Sequence, residues 1–237
     1  MSIEVLAAGI LSSLIAVGII EMYYLARRRY TQRALKRILP HRGQRTTIVV
    51  PAFPARNPDE GPGLSLDDAL ALVYILAALR RIGVEGEVYS SEDEMRYAGS
   101  GLICIGGPQT NRITKQFMLD HCSGFHLVLD SESTEERRVH RCGDKRIVTS
   151  HDKSFWNITW LSGEVAGRED DTLLVWGHYG SDTTAAAYYL TARAQKLAKS
   201  ASRNRGIFLL GARNPHLGHM FVPHEPEDLT AVAMITK

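Results

Sequence analysis

The first pattern along the chain is an unbroken apolar run. Residues 5–20 (VLAAGILSSLIAVGII) carry no charge, and the run reaches Ala26 if Glu21 is tolerated. About 20 apolar residues suffice to cross a bilayer core, so a transmembrane helix is expected over 1–26. From Thr46 the pattern shortens. TTIVVPAF reads as a strand ended by Pro51 and Pro54, and residues 55–64 are a loop rich in Pro and Gly. Ser65, with Asp68 three residues on, opens a helix in which Leu66, Leu70, Val73, Leu76 and Leu79 recur at helical spacing until Gly83. Further strands are expected at 87–89, 101–105, 125–129, 146–150, 172–176, 206–210 and 231–236. Residues 130–171, with Trp156 and Trp160, show no assignable topology beyond the strand at 146–150. Alternating strands and helices predict an α/β fold: a Rossmann-like, mostly parallel sheet flanked by helices, preceded by a single N-terminal transmembrane helix. The chain divides into the membrane helix (1–26), a basic juxtamembrane linker (27–45) and a cytosolic ligand-binding domain (46–237).

Two stretches share one form, an apolar strand, a Gly-flanked turn and a helix start: LICIGGPQTNRIT at 102–114 and TLLVWGHYGSDTTAAA at 172–187. Backbone N–H groups at helix starts suit anions, and strand ends in open α/β sheets collect ligands. The ligand-binding candidates are Gly106, Gly107, Thr110, Asn111, Gly177, Gly180, Ser181, Thr183 and Thr184. Arg213, after the strand at 206–210, is the cation placed to meet a phosphate. Asn111 could read a base or ribose, or serve as an N-cap. Either turn could equally serve only the fold. Strands ending at Pro51, Gly106, Gly177 and Gly211 would gather along one sheet edge, which points to a nucleotide-like, phosphate-bearing ligand. Asp67 and Asp68 could be catalytic, but they fit the first turn of a helix, where carboxylates favour the dipole, and that role is the one expected. There is no GxGxxG, Gly-Lys-Ser/Thr, GxSxG or HExxH, and we expect binding more than catalysis, with no cofactor. His216 and His219 are separated in a way that no helix would present to a metal, so no metal site is expected.

Composition is that of a folded protein, with 44% hydrophobic and 23% charged residues in 237. The net charge of +2 hides a strongly basic stretch: Arg27, Arg28, Arg29, Arg33, Lys36, Arg37, Arg42 and Arg45. Cations on the carboxyl side of the span place the following domain in the cytoplasm, at the inner (plasma) membrane. Arg27, Arg28 and Arg29 would meet anionic headgroups, at roughly 1 kcal/mol per basic residue. Nucleic acid is the competing partner, and the position beside a span favours lipid. Tyr23, Tyr24 and Tyr30 would form an interfacial belt. A cleaved signal peptide lacks its basic n-region here. Ala8, Ser12 and Ala16 share one face, which suits helix–helix contact and a homo-oligomer. Glu21 either snorkels to the interface or lines a pore. Three cysteines without CxxC spacing argue against a disulfide framework or a zinc knuckle.

A membrane helix, a basic stretch and a Rossmann-like domain with ICIGGPQTN and VWGHYGSDTTAAA after its strands resemble the membrane-anchored effectors of prokaryotic antiviral defence. The cytosolic domains of those effectors, of the CRISPR-associated Rossmann fold kind or its relatives, sense cyclic oligonucleotides. The resemblance implies a second-messenger sensor whose oligomer acts on the membrane. One alternative is a membrane-tethered nucleotide or NAD glycohydrolase, with Glu164, Asp130 or Asp182 as its carboxylate. The other is a tethered scaffold.

Overall fold

The computed structural model of the chain describes residues 3–53, 63–91, 101–129, 138–150, 152–201, 205–218 and 225–234; side chains are described outside 3–18 and 126–140. In order, the elements are α1 (Ile3–Ile38), β1 (Arg45–Val50), α2 (Leu66–Ile82), β2 (Glu85–Ser90), β3 (Gly101–Ile105), α3 (Arg112–His121), β4 (Phe125–Leu129), β5 (Arg138–Cys142), β6 (Lys145–Val148), β7 (Ser154–Leu161), α4 (Gly163–Ala166), β8 (Thr172–Gly177), α5 (Gly180–Ala192), α6 (Ala194–Ala201), β9 (Gly206–Arg213), β10 (Glu227–Asp228) and α7 (Thr230–Ala233).

Seven strands form the central sheet in the order β10-β9-β7-β8-β3-β1-β2, and β4, β5 and β6 form a separate antiparallel sheet. β8, β3, β1 and β2 are mutually parallel, while β7 runs antiparallel to both β8 and β9. The fold is therefore α/β with a mostly parallel central sheet flanked by helices. Its inner strands β1, β3, β7, β8 and β9 are buried on both faces, which explains the continuous apolar letters of β1, β3 and β8, whereas the edge strands β2 and β10 are largely exposed. Ile48, Val50, Ile103, Ile105, Leu173 and Val175 face α1, α2, α5 and α6. Val49, Leu102, Cys104, Leu174 and Trp176 face the core beneath α3, α7 and the small sheet. All three cysteines are free and buried.

β7 changes the expected topology. The region holding Trp156 and Trp160 carried no assigned element, yet all eight positions of β7 are buried, and it lies between β8 and β9. Its polar letters are satisfied internally: Asn157 Nδ2 donates to the Leu209 carbonyl at 2.9 Å, and Thr159 Oγ1 donates to Asn157 Oδ1 at 2.7 Å. Where a strand is expected at 231–236, residues 231–233 belong instead to α7, whose Ala233 packs into the second core; residues 235 and 236 lie outside the described residues. Thr230 Oγ1 accepts from the Phe208 N–H at 2.8 Å, which turns the chain across β9.

The basic segment is a helix for most of its length, since α1 continues without a break to Ile38. Leu35, Ile38 and Leu39 are buried in the first core, so this end belongs to the domain and is no linker. At 1.5 Å per residue, 36 residues span about 54 Å. The docked part begins near Thr31; residues 19–30 are all exposed. Among the described residues no helix is long and apolar enough to cross a membrane. The side chains of most of the expected span, and the face of Ala8, Ser12 and Ala16, lie outside the described residues.

Candidate functional site

The carboxyl ends of β1, β3 and β8 open on a cavity of about 230 Å³. The chain leaves β1 toward α2 on one face and leaves β3 toward α3 on the other, so a crevice must open between them. Gly106 makes the turn after β3 at φ +94, a conformation open to glycine, and an added Cβ would meet the Pro51 ring. Gly177 ends β8 so tightly against α5 that a Cβ there would overlap the backbone of Asp182.

The cavity is lined by Phe53, Ser65, Asp67, Asp68, Gly107, Thr110, Trp176, Gly177, His178, Tyr179, Gly180 and Thr183, among others. The structure thus brings Gly107, Thr110, Gly177, Gly180 and Thr183 together, as the two turns suggested. Five expected ligand contacts, Gly106, Asn111, Ser181, Thr184 and Arg213, are placed otherwise. Asn111 is fully buried: its Oδ1 accepts from the N–H groups of Ile113 and Thr114, and its Nδ2 donates to the carbonyls of Ile105 and Val49. It caps α3 and pins β3 to β1, so its amide has no face to offer a ligand. Thr184 Oγ1 donates to the Asp67 carbonyl at 2.8 Å, holding α5 to α2. Ser181 gives its carbonyl to Arg213, and Gly106 sits behind the turn.

Arg213 is the largest correction. Expected to meet a phosphate, it is 3% exposed and donates to the carbonyls of Ser181, Pro215 and Leu217, with Nε 3.3 Å from Asp182 Oδ1. A guanidinium with its donors so engaged holds the loop after β9. Asp182 completes the knot by accepting from Ser154 Oγ at 2.7 Å and from the Tyr179 N–H at 2.9 Å. Burial pushes its carboxyl up to about 6, against the opposing pull of Ser154, the Tyr179 N–H and Arg213.

Two carboxylates that fit a dipole role also line the cavity. Ser65 Oγ caps α2 by accepting from the Asp68 N–H, and donates in turn to Asp68 Oδ2 at 2.6 Å. Asp68 is 5% exposed, and burial raises its carboxyl; the Ser65 hydroxyl pulls the other way, and Asp67 pushes it further up. Asp67 reaches across to α5, where its Oδ2 lies 2.7 Å from the position a Cβ on Gly180 would take. The start of α5 is therefore already met by Asp67 and Asp182, and among the described residues no Lys or Arg lines the cavity. A phosphate placed about 4 Å from either lining carboxylate would meet repulsion of roughly 4 kcal/mol per charge pair at an effective dielectric of 20. The same carboxylates accept hydrogen bonds from hydroxyls or amines, and Phe53, Trp176, His178 and Tyr179 supply flat faces for a ring. His178 and Tyr179 stack edge to face with centroids 4.5 Å apart.

The remaining candidates lie elsewhere. Glu21, Arg27, Arg28 and Arg29 are exposed on α1. Glu164 is exposed and paired with Arg205 at 2.5 Å. Asp130 and His219 lie outside the described residues. Among the described residues, no group of three or more His, Cys, Asp or Glu side chains could hold a metal ion. The acidic and aromatic lining was missed because Asp67 and Asp68 follow helix-start rules and Trp176 and His178 follow strand and turn rules; only folding makes them neighbours. The chain matches no protein-family model and none of the curated proteins it was compared with.

Proposed function

We propose that the protein is a membrane-anchored sensor-effector that receives a nucleotide-type second messenger at the strand-end cavity and acts on the membrane through α1. Antiviral defence in a prokaryote is the setting that its layout resembles. The observation carrying this reading is that α2, which begins in the cavity, ends on α1, and that α6, which follows α5 directly, packs against α1. α2 starts at Asp67 and Asp68, and its last carbonyls reach α1, where Gln32 Nε2 donates to the Arg81 carbonyl at 2.8 Å. α5 starts at Gly180 and continues into α6, where Gln195 Nε2 donates to Thr31 Oγ1 at 3.4 Å. A ligand that shifts the starts of α2 and α5 relative to each other thereby bears on α1, because packed helices move as stiff bodies.

The lining selects which part of the messenger enters. Asp67 and Asp68 accept from ribose hydroxyls, the aromatic side chains stack a base, and the phosphates remain at the mouth. The cavity is below the roughly 300–1,000 Å³ of sites for drug-sized ligands, which suits one nucleoside unit. Calorimetric titration of the full chain in lipid nanodiscs with nucleosides, cyclic mono- and oligonucleotides and NAD tests the binding. Dye release from vesicles containing the protein tests the action. Heat from one of these ligands, abolished by Tyr179→Ala at the exposed wall of the cavity, is the expected result. Silence from all of them sinks the reading.

One observation favours a second reading, a membrane-tethered nucleotide or NAD glycohydrolase: Asp68 is a buried carboxyl with a raised pKa, held by Ser65 in an aromatic cavity, as a general acid in glycoside cleavage requires. Release of free base during the same titration identifies that activity, and its absence with binding intact excludes it.

A further inference from the structure

The pole of the domain opposite the cavity has its own surface chemistry. Along α1, Ile19, Ile20, Met22, Tyr23, Tyr24 and Leu25 are 53–65% exposed. At 3.6 residues per turn these near-consecutive positions point to every side, so no single docking face of a protein partner would cover them. Arg27, Arg28 and Arg29 follow, also exposed, and one turn after Arg28 comes Gln32, bonded to the end of α2. That bond brings Arg80 and Arg81, exposed in the last turn of α2, beside the arginines of α1 although some 50 residues separate them in sequence. Arg42 and Arg45 nearby are engaged with Glu169 and Glu87. Arg80, Arg81 and the arginines of α1 enter none of the ion pairs among the described residues.

We propose that Arg80 and Arg81 join Arg27, Arg28 and Arg29 in one collar that binds the anionic headgroups of a bilayer, so that the sheet's amino edge rests on the membrane and the cavity faces away from it. The inference rests on the membrane reading above and adds a contact made by the folded domain itself. An apolar cylinder, a tyrosine belt and then a ring of cations is the order in which a bilayer presents hydrocarbon, interface and anionic headgroups. The charge of α2 therefore acts at the membrane although α2 belongs to the ligand-binding domain.

Backbone hydrogen exchange of the full chain in nanodiscs tests this, comparing phosphatidylcholine alone with a mixture containing phosphatidylglycerol. Exchange over residues 78–84 should slow by roughly tenfold or more in the anionic discs, the scale of two cations at about 1 kcal/mol each. The difference should vanish in the Arg80→Gln, Arg81→Gln double variant, whose exposed side chains leave the fold intact, and should shrink in high salt. Equal exchange in both lipids, with the protein retained in the discs, overturns the collar and leaves the anchor standing. Failure of the chain to enter discs of either kind overturns the membrane reading and the collar together. Release of the anionic-disc protection by a short RNA at low concentration would assign the cations to nucleic acid and also overturn the proposal.

Discussion

Arg213 and Asp182 meet under the cavity floor, Nε to Oδ1 at 3.3 Å, with side chains 1% and 0% exposed. The pair closes the loop after β9 onto the first turn of α5, and Ser154 from β7 joins the same knot. A cation that a strand-end alignment would offer to a phosphate is thereby spent on the fold.

Replacing Arg213 by Ala should accordingly unfold the protein before it changes any affinity. Removing one partner of a buried ion pair costs about 3–5 kcal/mol. Urea denaturation followed by Trp fluorescence should show a loss of that order. Arg213→Lys should recover only part of it, because an ammonium cannot reach the Ser181, Pro215 and Leu217 carbonyls together. A variant as stable as the parent would refute this placement of Arg213.

The Asp182 carboxyl titrates near 6 in the folded chain and near 3.8 when unfolded, so the folded state holds the proton more tightly. Its contribution to stability is fully present below about pH 3.8 and is lost as the pH rises through about 6. Denaturation midpoints measured from pH 4 to pH 7 should fall more steeply for the parent than for Asp182→Asn, which cannot titrate. Parallel curves would show that burial does not govern this group.

Asn111 fills four hydrogen bonds with one side chain. Asn111→Ala should cost about 1 kcal/mol for the lost cap and a further 1–3 kcal/mol for each of the two buried carbonyls left unpaired, in total roughly 3–7 kcal/mol. Thermal unfolding of the purified variant reads this directly. A ligand-binding defect without a stability defect would restore Asn111 to the site.

In the cavity, Asp67→Asn should weaken a hydroxyl-bearing ligand by roughly 10- to 100-fold, the worth of about 1.5–3 kcal/mol for a hydrogen bond to a charged group. The same change should weaken an inorganic phosphate probe little or even improve its binding, since it removes a like charge. Titration of both ligands against both proteins separates an acidic, hydroxyl-reading cavity from an anion site.

Gln32→Ala combined with Gln195→Ala should leave ligand affinity within about twofold while uncoupling α1. Ligand-dependent hydrogen exchange over residues 19–30 should disappear in this double variant. Its persistence would show that the two contacts do not carry the signal.

The sequence by itself determined the elements whose cause is local. Ser65 and Gly83 bound α2 because a hydroxyl caps one end and a left-handed glycine ends the other. The apolar letters of 101–105 and 172–177 give buried strands, and the glycines after them give the turns. β7 was illegible because Ser154, Asn157 and Thr159 break its apolar run, and they are satisfied by Asp182 of α5, the Leu209 carbonyl of β9 and Asn157 respectively, partners that only the folded sheet brings into place. α7 reads as a strand by its apolar letters, and the contact of Thr230 with β9 makes it a helix. Tertiary structure alone decided the character of the cavity. Helix-cap rules hold at Asp68 and Asp182 wherever those helices lie, but which carboxylates face the opening depends on how α2 packs against α5. Charge sign at a site is a sum over elements distant in sequence, so Arg213 could look like the site's cation in the chain and prove to be its buried support in the fold.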